Sequence, residues 1–84
     1  MAAGALEELA GKLAQDTMAA MDESGDDRLY IEVGNVLAAA SQSLEEAFLT
    51  EIRVRLAERK ARRFLDQRLA ELRATPAAGG APKA

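Results

Sequence analysis

Apolar side chains in the first half of the chain recur at the spacing of amphipathic helices. Between residues 5 and 22 they return every three or four positions, which places them on one helical face. This face consists of Leu6, Leu9, Ala10, Leu13, Ala14, Thr17, Met18 and Met21. The same spacing returns from Leu29 to Ala40, although β-branched residues and a glycine lower the helix propensity there. The pattern predicts helices over about 5–22 and 27–40.

Two short polar segments predict the turns between helices. The first reads DESGDD, and Ser24 stands three residues before Asp27, an arrangement similar to a capping box. The second reads SQS, and Ser43 with Glu46 forms S-x-x-E ahead of an apolar run, which is a closer match to that motif. A third helix is therefore predicted to begin near position 44.

The third helix is predicted to be long, because no glycine or proline interrupts residues 44–74. It would contain about 31 residues and measure about 46 Å. Its apolar face changes side along the helix, at about 100° per residue. The first half carries Leu44, Phe48, Ile52 and Leu56 on one side. The second half carries an apolar stripe on nearly the opposite side: Val54, Ala57, Ala61, Phe64, Leu65, Leu69 and Leu72.

These two faces need two different partners for burial. We expect the first half of the third helix to pack on the other two helices, and the apolar stripe to pack on a second copy. The predicted interface of this homodimer consists of Ala57, Ala61, Phe64, Leu65, Leu69 and Leu72. The alternative is a kink near residues 56–58 that folds the chain into four helices.

Size and composition also favour association. The chain has 84 residues, and the last ten, 75–84, form a Pro/Gly/Ala tract that we expect to be a disordered tail. A domain over 1–74 buries only about 60% of its unfolded surface. Because the chain has no cysteine and no histidine, disulfides and the usual structural metals cannot stabilise this domain. Oligomerisation is the remaining way to add stability. The predicted fold is all-α: three helices, the third long, in a dimeric helical bundle.

Charge is divided between the two parts of the chain. Residues 1–52 hold eleven acidic and two basic side chains, whereas residues 53–74 hold eight basic and three acidic ones. Five arginines of the second part share one side of the third helix, and we call them the Arg sector: Arg55, Arg59, Arg62, Arg63 and Arg73. The first four are the predicted partner-binding residues, because guanidinium groups suit carboxylates and phosphates. A solvated face with pairs such as Glu58 and Arg62 is the simpler interpretation.

The sequence offers no recognisable catalytic or cofactor chemistry. Because the chain has no histidine and no cysteine, it lacks the commonest general base, the thiolate nucleophile and most transition-metal ligands. It also has no phosphate-binding glycine loop. An EF-hand loop starting at Asp22 is not expected. That motif needs glycine at its sixth position and glutamate at its twelfth, where this chain has Asp27 and Val33. We therefore expect no enzyme, no cofactor and no metal site.

Binding is the function that remains. The longest wholly apolar run is far shorter than a membrane span, and the N-terminus lacks a basic leader, so a cytoplasmic protein without a membrane partner is expected. The first hypothesis is a noncatalytic adaptor or regulator that binds another protein. The alternative is a nucleic-acid-associated protein whose Arg sector meets phosphate. A helix-turn-helix at residues 38–48 is disfavoured, because Glu45 and Glu46 would face the DNA backbone.

Overall fold

The computed structural model describes residues 4–74, and these form three helices. They are α1 (Ala5–Ser24), α2 (Leu29–Ala40) and α3 (Gln42–Ala74), and no strand occurs in this part of the chain. The all-α, three-helix prediction is thereby confirmed. Each helix begins and ends within two residues of its predicted limits. The predicted tail over 75–84 lies outside the described residues.

The three helices pack around one small core. Four small or flexible side chains of α1 meet two large ones of α3, and all are buried: Ala10, Ala14, Met18, Met21, Phe48 and Ile52. Alanines let the two helices approach closely, while the unbranched methionines fill the irregular space around the aromatic ring. Buried Thr17 donates its hydroxyl hydrogen to the carbonyl of Leu13 at 2.8 Å, so its polar atom is satisfied.

Helix α1 ends at a glycine, as helices commonly do. Gly25 has φ of 79°, the left-handed conformation that costs other residues free energy, and its N–H donates to the carbonyl of Met21 at 2.8 Å. The hydroxyl of Ser24 donates to the carbonyl of Ala20 and accepts from the N–H of Asp26. Ser24 therefore closes α1, and the prediction that it caps α2 with Asp27 is wrong.

Helix α3 follows α2 after the single residue Ser41, whose backbone is extended. The Ser41 hydroxyl accepts a hydrogen bond from the N–H of Leu44 at 3.2 Å, so Ser41 is the N-cap. The predicted capping box of Ser43 and Glu46 is therefore wrong, because Ser43 already lies inside the helix.

Helix α3 continues without a break for 33 residues. The alternative with a kink near residues 56–58 and a fourth helix is thus not observed. Helices α1 and α2 cover only its first half, and beyond Ile52 no described residue of α3 is buried. The second half of α3 consequently extends past the body of the domain as a nearly bare helical arm, and we call residues 57–74 the arm.

Candidate interaction surface on the third helix

The two apolar faces of α3 have different surroundings. Phe48 and Ile52 are fully buried, and Leu44 and Leu56 pack at the edge of the same core. This is the burial predicted for the first half of the helix. Its last turn in contact with the core is the turn around Leu56, so the helix enters solvent close to the point where its apolar face changes side.

The apolar stripe lies uncovered along the arm and the turn before it. Phe64 is 68% exposed, Val54 61%, Leu72 57% and Leu65 45%. Ala57 and Ala61 are also exposed, and Leu69 is half-buried. The residues predicted to form an interface therefore share one face of the helix, and nothing within residues 4–74 covers it.

A shallow apolar groove runs beside the stripe on the arm itself. Leu56, Ala57, Ala61 and Phe64 line it, and Arg53 and Lys60 flank it. Neither of these two cations forms an ion pair within the described chain. A partner on the stripe would thus meet apolar contacts in the middle and positive charge at this edge.

Two residues of the Arg sector hold α3 against α1. Arg59 donates two hydrogen bonds to the two carboxylate oxygens of Asp22, both at 2.7 Å. Arg55 donates to the carbonyl of Gly11 at 3.4 Å and to Glu51 at 3.3 Å, while its Nε is buried without a hydrogen-bond partner. Arg55 and Arg59 therefore serve the packing of this chain, and a partner would have to compete for them.

The rest of the Arg sector faces solvent. Arg62 donates to Glu58 one turn earlier at 3.1 Å, the pair expected from the sequence. Arg63 has no acidic partner in the described part of the chain and lines a notch with Met21 and Asp27 at the end of α1. Of the four predicted partner-binding arginines, Arg63 is the one whose guanidinium group remains available.

The ion pair between α1 and α3 perturbs both of its members. The bidentate hydrogen bond from Arg59 lowers the pKa of Asp22 below its ordinary value of 3.8. The same contact raises the pKa of Arg59 above its ordinary value, so its guanidinium group stays charged. The arrangement fixes two charges and offers no group poised for proton transfer near neutral pH.

Sequence reasoning missed Asp22 as the partner of Arg59. Thirty-seven positions separate them, and no local pattern links residues so far apart. A partial signal existed, because Arg55 and Arg59 lie on the same side of α3 as Phe48 and Ile52. That side is covered by α1 at the level of the core, so arginines one or two turns further along meet the end of α1.

A second groove separates α1 from α3 on the side nearest the stripe. Its apolar lining comes from Met18, Ala19 and Val54. Its polar lining mixes both charges, because it holds the ion pairs of Glu51 with Arg55 and of Asp22 with Arg59. Val54 belongs to both the groove and the stripe, so the two surfaces are continuous.

Neither a metal-binding cluster nor a membrane-spanning helix occurs among the described residues. Among residues 4–74, no three acidic side chains converge where a metal ion could bind. No helix in this range combines the length and the apolar character that crossing a membrane requires. Comparison of the chain with protein-family models, curated proteins and solved structures found no match.

Proposed function

We propose that this protein is a small noncatalytic protein–protein interaction module, an adaptor or regulator, that self-associates through the apolar stripe of α3. The observation that carries the proposal is the exposure of Val54, Phe64, Leu65 and Leu72 on one face of an uncovered helix. Contiguous exposed apolar surface of this kind is typical of binding surfaces.

Free energies indicate how much the stripe can contribute. Burying the exposed parts of its four large side chains is worth roughly 1 kcal/mol each, or roughly 8 kcal/mol for two copies. Association costs roughly 4–15 kcal/mol in lost freedom of motion. The stripe is therefore sufficient only when additional contacts accompany it.

Phosphate binding by the Arg sector has less support. Arg55, Arg59 and Arg62 already donate to carboxylates of the same chain. A nucleic acid would have to break these pairs while eleven acidic residues of the first 52 repel its backbone. Protein association through apolar contacts needs neither change.

The test compares two substitutions of exposed apolar residues on different helices. Leu65→Asp places a charge in the stripe, whereas Val36→Asp places one on the outer face of α2, where Val36 is 70% exposed. Light scattering coupled to size exclusion should find a dimer for the unmodified chain and for Val36→Asp, and a monomer for Leu65→Asp. Circular dichroism of all three checks that they remain helical.

The salt dependence of binding distinguishes self-association through apolar contacts from phosphate binding by the Arg sector. An apolar dimer should persist at high salt, whereas phosphate binding falls steeply as salt rises. A monomeric unmodified chain, or equal effects of the two substitutions, would overturn the proposal. A monomer that shifts DNA or RNA at low salt would replace it with the alternative.

A further inference from the structure

The charge distribution selects one geometry for the proposed self-association. Residues 1–52 carry a formal charge of −9, and residues 53–74 carry +5. In the structure this division is spatial, because the acidic part forms the body of the domain and the basic part forms the arm with the turn before it. Any pairing along the stripe therefore brings together two strongly charged surfaces.

Parallel pairing of two stripes places like charges together. The two basic arms would lie side by side over their whole length. The two acidic bodies would also be neighbours. Because repulsion between charges within about 8 Å is only partly screened at physiological salt, this orientation is unfavourable.

Antiparallel pairing moves the two acidic bodies to opposite ends of the paired helices. The arms overlap around their middle, and only the basic tip of each arm reaches the acidic body of the other copy. This arrangement has twofold symmetry and closes at two copies. We propose, on the basis of the self-association above, that two copies pair antiparallel through α3, with the tip of each arm lying against the groove between α1 and α3 of the other.

The sizes of the side chains fit the same orientation. Matching the two ends of the stripe places Val54 of one copy beside Leu72 of the other and position 63 near the twofold axis. Ala57 then lies at the level of Leu69, and Ala61 at the level of Leu65. Small residues at the level of large ones allow close packing, whereas parallel pairing would place alanine at the level of alanine and leucine at that of leucine.

The groove gives the end of the arm a place to bind. Val54 lines it together with Met18 and Ala19, so Leu72 of the second copy would cover apolar surface that belongs to two helices. Glu51 and Glu58 in its lining are already paired with Arg55 and Arg62 of the same chain, so the tip gains apolar contact there and not a new ion pair. This contact extends burial beyond the stripe itself and adds to the association.

Engineered cysteines distinguish the orientations, because the chain has no cysteine of its own. Val54→Cys and Leu72→Cys are prepared separately, mixed under reducing conditions and then mildly oxidised. Antiparallel pairing predicts a disulfide-linked dimer mainly in the mixture, containing one copy of each variant. Parallel pairing predicts linked dimers in each variant alone. Val36→Cys mixed with Leu72→Cys is the control and should stay unlinked.

Each result bears separately on the two proposals. Mixture-specific linkage, together with light scattering that shows two copies, supports the antiparallel dimer. A dimer whose single variants link as well as the mixture overturns the orientation and leaves self-association standing. A dimer that links in no sample also overturns it. A chain that is monomeric by light scattering overturns both, and assemblies larger than two copies overturn the closed antiparallel pair.

Discussion

At the scale of single residues, the ion pair of Asp22 and Arg59 joins α1 to α3. Asp22 lies in the last turn of α1, where the helix dipole is negative and where no basic residue of α1 is present. A carboxylate there is unfavourable by itself. Arg59 supplies the missing positive charge from α3 through two short hydrogen bonds.

The effect of this pair can be measured as a shift in the titration of the Asp22 carboxyl group. The pKa of Asp22 is lowered by Arg59, so the pair stabilises the fold fully above about pH 4 and loses that contribution as pH falls through the lowered pKa. In an NMR pH titration of the side-chain carboxyl, Asp22 should titrate below 3.8. Arg59→Gln should bring its pKa back toward that value.

Arg62→Gln is the matched control for this titration, because Arg62 pairs with Glu58 on its own helix. It should leave the titration of Asp22 unchanged. Equal midpoints for Asp22 in the unmodified chain and in Arg59→Gln would contradict the assigned cause of the shift.

At the scale of elements, the start of α3 decides how the long helix is positioned. The whole connection from α2 is one extended residue, and its side chain caps the helix that follows. A serine is well suited to this task, since its short hydroxyl reaches the N–H three residues on without straining the extended backbone. Ser41 therefore stabilises the start of the helix that carries the arm.

Substitutions of two serines distinguish the observed N-cap from the predicted capping box. Ser41→Ala removes the acceptor of the Leu44 N–H and should lower the free energy of unfolding by about 1 kcal/mol. Ser43→Ala, inside the helix and exposed, should change it by less than about 0.5 kcal/mol. Urea denaturation followed by circular dichroism measures both, and a larger loss for Ser43→Ala would restore the predicted capping box.

At the scale of the whole molecule, folding and association use different faces of the same helix. The core of the described chain is small, and its largest fully buried side chains are Phe48 and Ile52. The stripe contributes nothing to that core. Stability and self-association should consequently respond to different substitutions.

The two phenylalanines test this separation. Phe48→Ala leaves a cavity in the core and should cost about 3–5 kcal/mol, enough to unfold much of a marginal domain. Phe64→Ala should leave the chain helical while raising the dissociation constant of the dimer, measured by analytical ultracentrifugation. The helical content of the two variants is compared at the same low protein concentration. If Phe64→Ala unfolded the chain as far as Phe48→Ala, folding and association would not be separable.

The sequence alone determined the features that repeat with the helical period. The three helices, the burial of Phe48 and Ile52 and the change of apolar face within α3 follow from spacing, because neighbours on a helix are three and four residues apart. The polar segment DESGDD also indicated the turn after α1. These properties depend on residues close together in the chain.

Only the tertiary structure decided which residues meet across helices. The pairing of Arg59 with Asp22, the contact of Arg55 with Gly11 and the groove between α1 and α3 depend on how two helices cross. The structure also showed that Ser24 and Ser41 are the serines that bond at the helix ends. Crossing geometry results from packing of the whole core, and no spacing within one helix encodes it.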